Sequence, residues 1–380
     1  METQKRKQNE KEKAERRMKI VAGLGSIDEY IPYVLAGADE LFCGYVPYNW
    51  TKKYGTVLPL NRREVLAYNV QLGSFSELEI LLAMIRKYRK PVHIAMNSLY
   101  YIPEQYEEIA DIVKQCMKIG FDSFILADPA LILYLRQKGI SCKIHLSGEA
   151  GEMNREAIKV FREMGIGRII FHRKNTVASM RQMIEAVNAE KLEFEAFALN
   201  ELCQFTGAFC NSLHCDEMGG YLCRTTYWGG DAEMEERMER MIKRTLEIEE
   251  QQYLCGKSGC ALCALPQLEA AGITHLKLVG RGNYVEDMIR DIRNLKAALG
   301  VLEENRREEK ETGGGYIDQL DKKIFAGQPC GNNCIYNPGA VSLRCMGKKR
   351  KVQNRKRKRI SWSRLLYEIR FFFKLFQILV

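Results

Sequence analysis

The sequence predicts an α/β fold, a TIM-like (β/α)8 barrel, from three observations. Eight short apolar runs alternate with helix-length amphipathic segments between residue 19 and about residue 300. The runs are apolar through their middles and bounded by glycine or charge, as parallel strands covered by helices must be. A glycine signature precedes several of them: AGAD at 36–39, IGFD at 119–122, MGIG at 164–167 and AGIT at 271–274. Glycine there suits the positive-φ position that ends a helix, with the next strand starting directly after it. Eight strands in one βα series close into a barrel. The competitor is a doubly wound sheet, which requires a phosphate-binding glycine motif after an early strand; AGLGS at 22–26 is a weak echo of one.

Residues 1–18 are a charged extension without the apolar centre of a secretory signal. The barrel spans 19–300, with strands at 19–23 (KIVAG), 39–45 (DELFCGY), 92–97 (VHIAMN), 122–127 (DSFILA), 142–147 (CKIHLS), 167–172 (GRIIFH), 192–198 (LEFEAFA) and 275–280 (HLKLVG). Helical periodicity places Ile109, Ile112, Val113 and Cys116 on one stripe of 106–120, and Ile158, Phe161 and Met164 on one stripe of 155–165. Two stretches break the rhythm: 46–72, read as a long irregular connection, and 199–274, a cysteine-rich insertion between strands seven and eight. The insertion carries a charged helix at 231–253 whose methionine face is read as core packing. A polar run ending in three glycines sets a boundary near 301–315, so 301–347 is a hinge with a small cysteine-bearing appendage and 348–380 a tail.

The net charge of +10 is concentrated in that tail. Residues 348–359, KKRKVQNRKRKR, hold nine Lys or Arg and no acid, so the remainder carries +10 − 9 = +1. The closing stretch SWSRLLYEIRFFFKLFQILV is apolar and aromatic but interrupted by Arg370 and Lys374. The tail fits a helix lying on an anionic membrane surface, a face packed on the barrel or a protein partner, or a segment binding RNA phosphates. No uncharged apolar run of about eighteen residues occurs, which excludes a conventional spanning helix.

The chain has thirteen cysteines. Cys43, Cys116 and Cys142 sit singly in apolar segments and read as core thiols; the other ten lie between 203 and 345. An odd count without a secretory signal points to metal or redox chemistry in a reducing, cytoplasmic compartment, with peripheral membrane contact left open. The run ELCQFTGAFCNSLHCDEMGGYLC and the later CGKSGCALC fall where strand seven ends and strand eight is approached, neighbours in a barrel. Four thiolates with little histidine nearby suit tetrahedral zinc or a [4Fe–4S] cluster, the wide spacing favouring the cluster. Cys330, Cys334 and Cys345, with Cys215, Cys255 or Cys260, could form a second metal site.

Barrel active sites gather at C-terminal strand ends. That rule selects Asn97, Asp128, His145, Glu149, His172, Arg173, Lys277 and Arg281. Arg173 and Arg281 suit clamps for a carboxylate or phosphate. No HExxH or GxSxG sequence is present to support proteolysis.

Three motifs in order, AGADELFCG (36–44), EFEAFALNELCQFTGAFC (193–210) and ALCALPQLEAAGITHLKLVGR (261–281), resemble the peptidase U32 family over about 18–300. The resemblance implies a TIM-like barrel holding a [4Fe–4S] cluster on Cys203, Cys210, Cys223 and Cys263, with His145, Arg173, Lys277 and Arg281 at polar positions of strand ends. It implies oxygen-independent hydroxylation of RNA bases or of a quinone precursor, so that RNA or a small anionic or quinone-type substrate is the expected partner. The alternatives are peptidase action and a noncatalytic, metal-containing binding protein. The chain departs from the family pattern at LNELC (199–203), where the family has HGALC, at Val279 in place of a glutamate, and at Tyr227 in place of a cysteine, which marks a divergent member.

Overall fold

The structure, a computed structural model, describes residues 17–55, 57–62, 70–187, 192–201, 256, 259–307, 314–326 and 334–336. The chain divides into a unit of residues 1–342, which holds all of these, and a second unit of residues 343–380. The expected tail, the helix at 231–253 and Cys203, Cys210, Cys215, Cys223, Cys255, Cys330 and Cys345 lie outside the described residues.

Eight parallel strands close a barrel in sequence order: β1 (Lys19–Leu24), β2 (Glu40–Gly44), β3 (Val92–Met96), β4 (Ser123–Leu126), β5 (Lys143–Leu146), β6 (Arg168–Ile170), β7 (Glu193–Leu199) and β8 (His275–Leu278). Closure through the β1–β8 pairing, Lys19 against His275, excludes the doubly wound sheet. The described helices are α1 (Tyr30–Ala36), α2 (Tyr48–Tyr54), α3 (Phe75–Tyr88), α4 (Pro103–Ile119), α5 (Pro129–Gln137), α6 (Arg155–Glu163), α7 (Val177–Val187), α8 (Leu265–Ala270), α9 (Val285–Arg307) and α10 (Gly314–Leu320). Their starts follow from local chemistry. Ser74 and Glu77 form a capping box on α3, and the Asn154 side chain accepts from Glu156 and Ala157 N–H at the head of α6. The four signature glycines all have positive φ: Gly37 at 120°, Gly120 at 123°, Gly165 at 77° and Gly272 at 90°.

The described parts of the connection 46–72 are more ordered than its composition suggested. They contain α2, whose buried Trp50 donates to Leu58 O, and Leu72 returns to pair with β2 next to Tyr45. At the other end of the chain α9 runs continuously to Arg307, through the expected limit at residue 300.

Period-two alternation sorts the strand residues. Leu41, Cys43, Ile94, Met96, Phe124, Leu126, Ile144 and Leu146 belong to the large core cluster that also takes in the helices' apolar stripes. The opposite set, Val21, Phe42, Ala95, Ile125, Ile170 and Phe197, forms a separate cluster that fills the barrel interior. One step toward the strands' N-terminal ends on this inner face the chemistry changes. There lie Glu40, His93, Ser123, Arg168 and Glu195, all buried. One step toward the C-terminal ends lie Gly44, Asn97, Ala127 and His172, at the barrel mouth.

Candidate active site

The charged layer below the inner apolar ring is a closed network. Arg168 donates to Glu40 (2.8 Å), Glu193 (2.7 Å) and Glu195 (3.0 Å). Lys277 Nζ sits 3.1 Å from Glu195 Oε1 and 3.8 Å from the centre of the Phe42 ring. His93 joins Glu40 (2.9 Å) to Ser123 (2.8 Å), and Ser123 meets His145 Nε2 at 3.3 Å. Burial works against the ionised form of Glu40, yet hydrogen bonds with His275 and His93 and the Arg168 charge hold its carboxyl well below the usual range. Burial lowers both His93 and His145, the latter helped by His93, so the two rings are neutral at neutral pH. Burial likewise pulls the Lys277 ammonium down, against the attraction of Glu195. His145, read within strand five, and Lys277, read at the end of strand eight, both lie inside this network.

The mouth is built from the segments that follow the strands. Four charged residues from different loops form a chain there. Arg62 Nε lies 3.6 Å from Glu149 Oε2, Glu149 Oε1 accepts from Arg173 Nη1 at 2.9 Å, and Arg173 Nε lies 3.0 Å from Glu201 Oε1. The Arg62 N–H donates to Asn97 Oδ1 (3.2 Å), and Asn97 Nδ2 reaches Ser147 Oγ (3.4 Å). Arg281 Nη1 donates to Asn61 Oδ1 (3.2 Å) and Val70 O (3.3 Å), tying the β2 connection to the end of β8. Arg281 reaches these acceptors past Gly44: a Cβ at that glycine would lie 2.5 Å from Arg281 Nη1 and 2.9 Å from Asn61 Nδ2.

His172 is fully buried beside Arg173. Its Nδ1 accepts from the Lys174 N–H at 3.2 Å, and Nε2 has no hydrogen-bond partner among the described residues. Burial, then the neighbouring Arg173 charge, lowers its pKa to about 4. The ring is therefore neutral with its proton on Nε2, a donor held in a dry position. Asp128 lies just beyond β4, where the sequence reading put it. Its carboxylate caps α5 through Ala130 N–H (2.8 Å) and accepts from Tyr106 Oη (3.0 Å).

The cysteine expectations need correction. Among the described residues no group of three or more His, Cys, Asp or Glu is arranged to hold a metal ion, which argues against the [4Fe–4S] or zinc centre read from the sequence. Of its four named ligands only Cys263 is described, half-buried in the turn ahead of α8. Of the second set, Cys260 and Cys334 are adjacent because their backbones pair, with Ile335 N–H donating to Cys260 O at 3.0 Å. That pairing serves packing: Ile335 touches the inner apolar cluster, and Tyr336 Oη donates to Phe197 O at 2.9 Å. The expectation that strand seven and the approach to strand eight converge is met. Asn200 N–H donates to Gly259 O (2.8 Å), and Asp291 of α9 accepts from both Asn200 Nδ2 (2.7 Å) and Gly256 N–H (3.1 Å).

Sequence reading missed Asn61, Arg62 and Ser147 at the mouth and Glu40, Arg168, Glu195 and His275 below it. The lower set had a signal: a polar or charged residue recurs at or near the first position of otherwise apolar runs. In the upper set Ser147 had the signal of closing a strand, whereas Asn61 and Arg62 had none, because they lie in an irregular segment.

The chain is similar to the "tRNA hydroxylation protein P1" of Bacillus subtilis (strain 168), at 22% identity over 311 residues, covering 80% of this chain and 68% of that protein. It is also similar to "tRNA hydroxylation protein P" of Escherichia coli (strain K12), at 26% identity over 174 residues, covering 46% of this chain and 34% of the relative. A protein of the same description from Haemophilus influenzae is 30% identical over 92 residues, covering 23% of this chain and 19% of the relative. The profile of peptidase family U32 matches residues 25–327, and with most of its length accounted for in this way the chain belongs to peptidase family U32.

Proposed function

We propose that this protein is an RNA-modifying enzyme that hydroxylates a base at the C-terminal mouth of its barrel. The observation that carries the reading is the alignment of 80% of the chain with a protein described as acting in tRNA hydroxylation. The mouth is chemically suited to a nucleotide. Asn97 and Ser147 offer amide and hydroxyl groups of the kind that read base edges, and the neutral His172 offers an N–H donor. Arg173 and Arg281 supply guanidinium groups that match phosphate, on loops already braced by Glu149 and Asn61.

The test is to express the full-length chain in a bacterium deleted for its own tRNA-hydroxylation proteins and to digest total RNA to nucleosides for mass spectrometry. A nucleoside heavier by one oxygen atom, lost again in an Arg281→Ala variant, is the expected result. Unchanged RNA together with a restored quinone pool, or with peptide cleavage by the purified protein, would replace the RNA reading with one of the other two activities.

A further inference from the structure

Among the described residues three aromatic side chains stand mostly in solvent: Tyr48, Tyr100 and Tyr284, at 73%, 69% and 80% exposure. The other exposed large apolar side chains are aliphatic: Leu35, Ile80, Leu133 and Val160 sit on the outer helices α1, α3, α5 and α6, and Val57 lies in the connection that follows α2. The aromatics are segregated differently. Tyr48 opens α2 just beyond β2, Tyr100 lies in the turn after β3, and Tyr284 directly precedes α9 after β8. All three therefore stand on the C-terminal side of the barrel, after strands on one arc of the ring, β8-β1-β2-β3.

Local sequence does not force this exposure. Tyr101, the next residue after Tyr100, is buried and donates to Leu60 O at 2.6 Å, and Trp50 is buried two positions after Tyr48. The segments at 48–50 and 100–101 thus each have one aromatic packed inward and one directed into water. Holding a flat apolar ring in solvent gives no folding benefit, so the pattern suits a partner with flat apolar faces. The same side of the barrel carries cations in its loops: Lys52 and Lys53 in α2, Arg173 and Lys174 after β6, and Arg281 after β8.

We propose that Tyr48, Tyr100 and Tyr284 form a stacking platform for unpaired RNA bases flanking the nucleotide presented to the mouth. The inference rests on the RNA-modifying reading above and adds how the strand is gripped. A tyrosine ring is rigid and loses little rotamer freedom on contact, and every base offers a π-face, so the grip tolerates sequence. An A-form duplex hides those faces, so the platform selects single strands, bulges and loops.

The test uses the full-length protein and a fluorescein-labelled, mixed-sequence single-stranded RNA in polarisation titrations. Each Tyr→Ala variant is expected to weaken binding about tenfold and the triple variant more than about a hundredfold, while each Tyr→Phe variant stays within about twofold. A 2-aminopurine base in the strand should be quenched by the parent protein and not by the triple alanine variant. Because the side chains stand in solvent, thermal unfolding should be unchanged. Binding by the triple alanine variant as tight as by the parent overturns the platform while leaving the RNA reading intact, as would phenylalanine variants that lose as much as alanine ones. A parent protein that neither binds RNA nor alters cellular RNA overturns both.

Discussion

Arg62 and Glu149 meet at the barrel mouth with 3.6 Å between Nε and Oε2, although one follows β2 and the other β5. Since Glu149 also accepts from Arg173, a single carboxylate separates two guanidinium groups in a site from which water is mostly withdrawn. Replacing Glu149 by Gln leaves two facing cations with one countercharge fewer. Breaking a buried pair costs about 3–5 kcal/mol, and these side chains keep some contact with water, so a loss of about 2–3 kcal/mol is expected in urea denaturation. RNA modification should fall at least tenfold, because Arg62 also positions Asn97 through its backbone N–H. Unchanged stability in Glu149→Gln would show that the ion chain is not closed in solution.

The deeper pair behaves differently. Lys277 and Glu195 are both buried, and each is held by more than the other: Glu195 also accepts from Arg168. Lys277→Met should cost about 3–5 kcal/mol by stranding part of the Glu195 charge. The double variant Lys277→Met, Glu195→Gln should recover part of that loss, which a double-mutant cycle in denaturant measures directly.

Acid should weaken the fold earlier than its surface carboxylates alone would require. His93, His145 and His172 all have lowered values in the folded protein, His172 at about 4 against an ordinary 6.5. The unfolded chain therefore binds protons that the folded one refuses, so the stability contributed by neutral histidine is present above pH 6.5 and is lost as pH falls toward 4. The depressed Glu40 and Glu195 act in the same direction at lower pH, since their ionised forms belong to the folded state. Unfolding free energy measured from pH 7.5 to 4.5 should be flat at first and then decline, and His172→Asn should make the decline shallower. A curve of the same slope in that variant would remove His172 from the account.

The barrel was legible because its signals are local and repeated. Short apolar runs and the glycines at 37, 120, 165 and 272 each report on a few neighbouring residues, and positive φ at all four confirms the glycine reading. The mouth was legible only in part. Arg173 and Arg281 follow strands directly, so strand position located them, whereas Arg62 is brought to Glu149 by a connection with no periodicity. His145 and Lys277 lie within β5 and β8, in register with Arg168 and Val21, and so sit inside the barrel rather than in the loops beyond it. Cysteine spacing misled for a related reason. Cys260 and Cys334 come together through backbone pairing and burial of Ile335, and sequence separation carries no information about whether thiols converge on a metal.

In the LNELC stretch (199–203), Asn200 has a φ of 64°. That left-handed conformation favours Asn and Gly, and the Asn200 amide also binds Asp291, which holds Gly256 at the far end of the insertion. Asn200→Gly should keep the backbone and lose the hydrogen bond, at about 1–2 kcal/mol, whereas Asn200→Ala adds about 1 kcal/mol of backbone strain. Asp291→Ala should exceed both in denaturation midpoint shift, because it releases the two ends together. Equal costs for Ala and Gly at position 200 would show that the conformation itself exerts no constraint.

Gly44 tests whether the position of Arg281 governs activity. The residue ends β2, and a methyl group added there would come within 2.5 Å of Arg281 Nη1 and 2.9 Å of Asn61 Nδ2. Real Cβ atoms essentially never show such contacts, so the guanidinium and the amide must both move. Both are ends of side chains, so the backbone of β2 should persist and the thermal midpoint should shift by only a few degrees. The hydrogen bonds from Arg281 to Asn61 and Val70, however, should break together. Gly44→Ala is therefore expected to lower RNA modification about as much as Arg281→Ala does, and the double variant should be no worse than either alone. Additive losses in the double variant would mean that Gly44 acts on something other than Arg281.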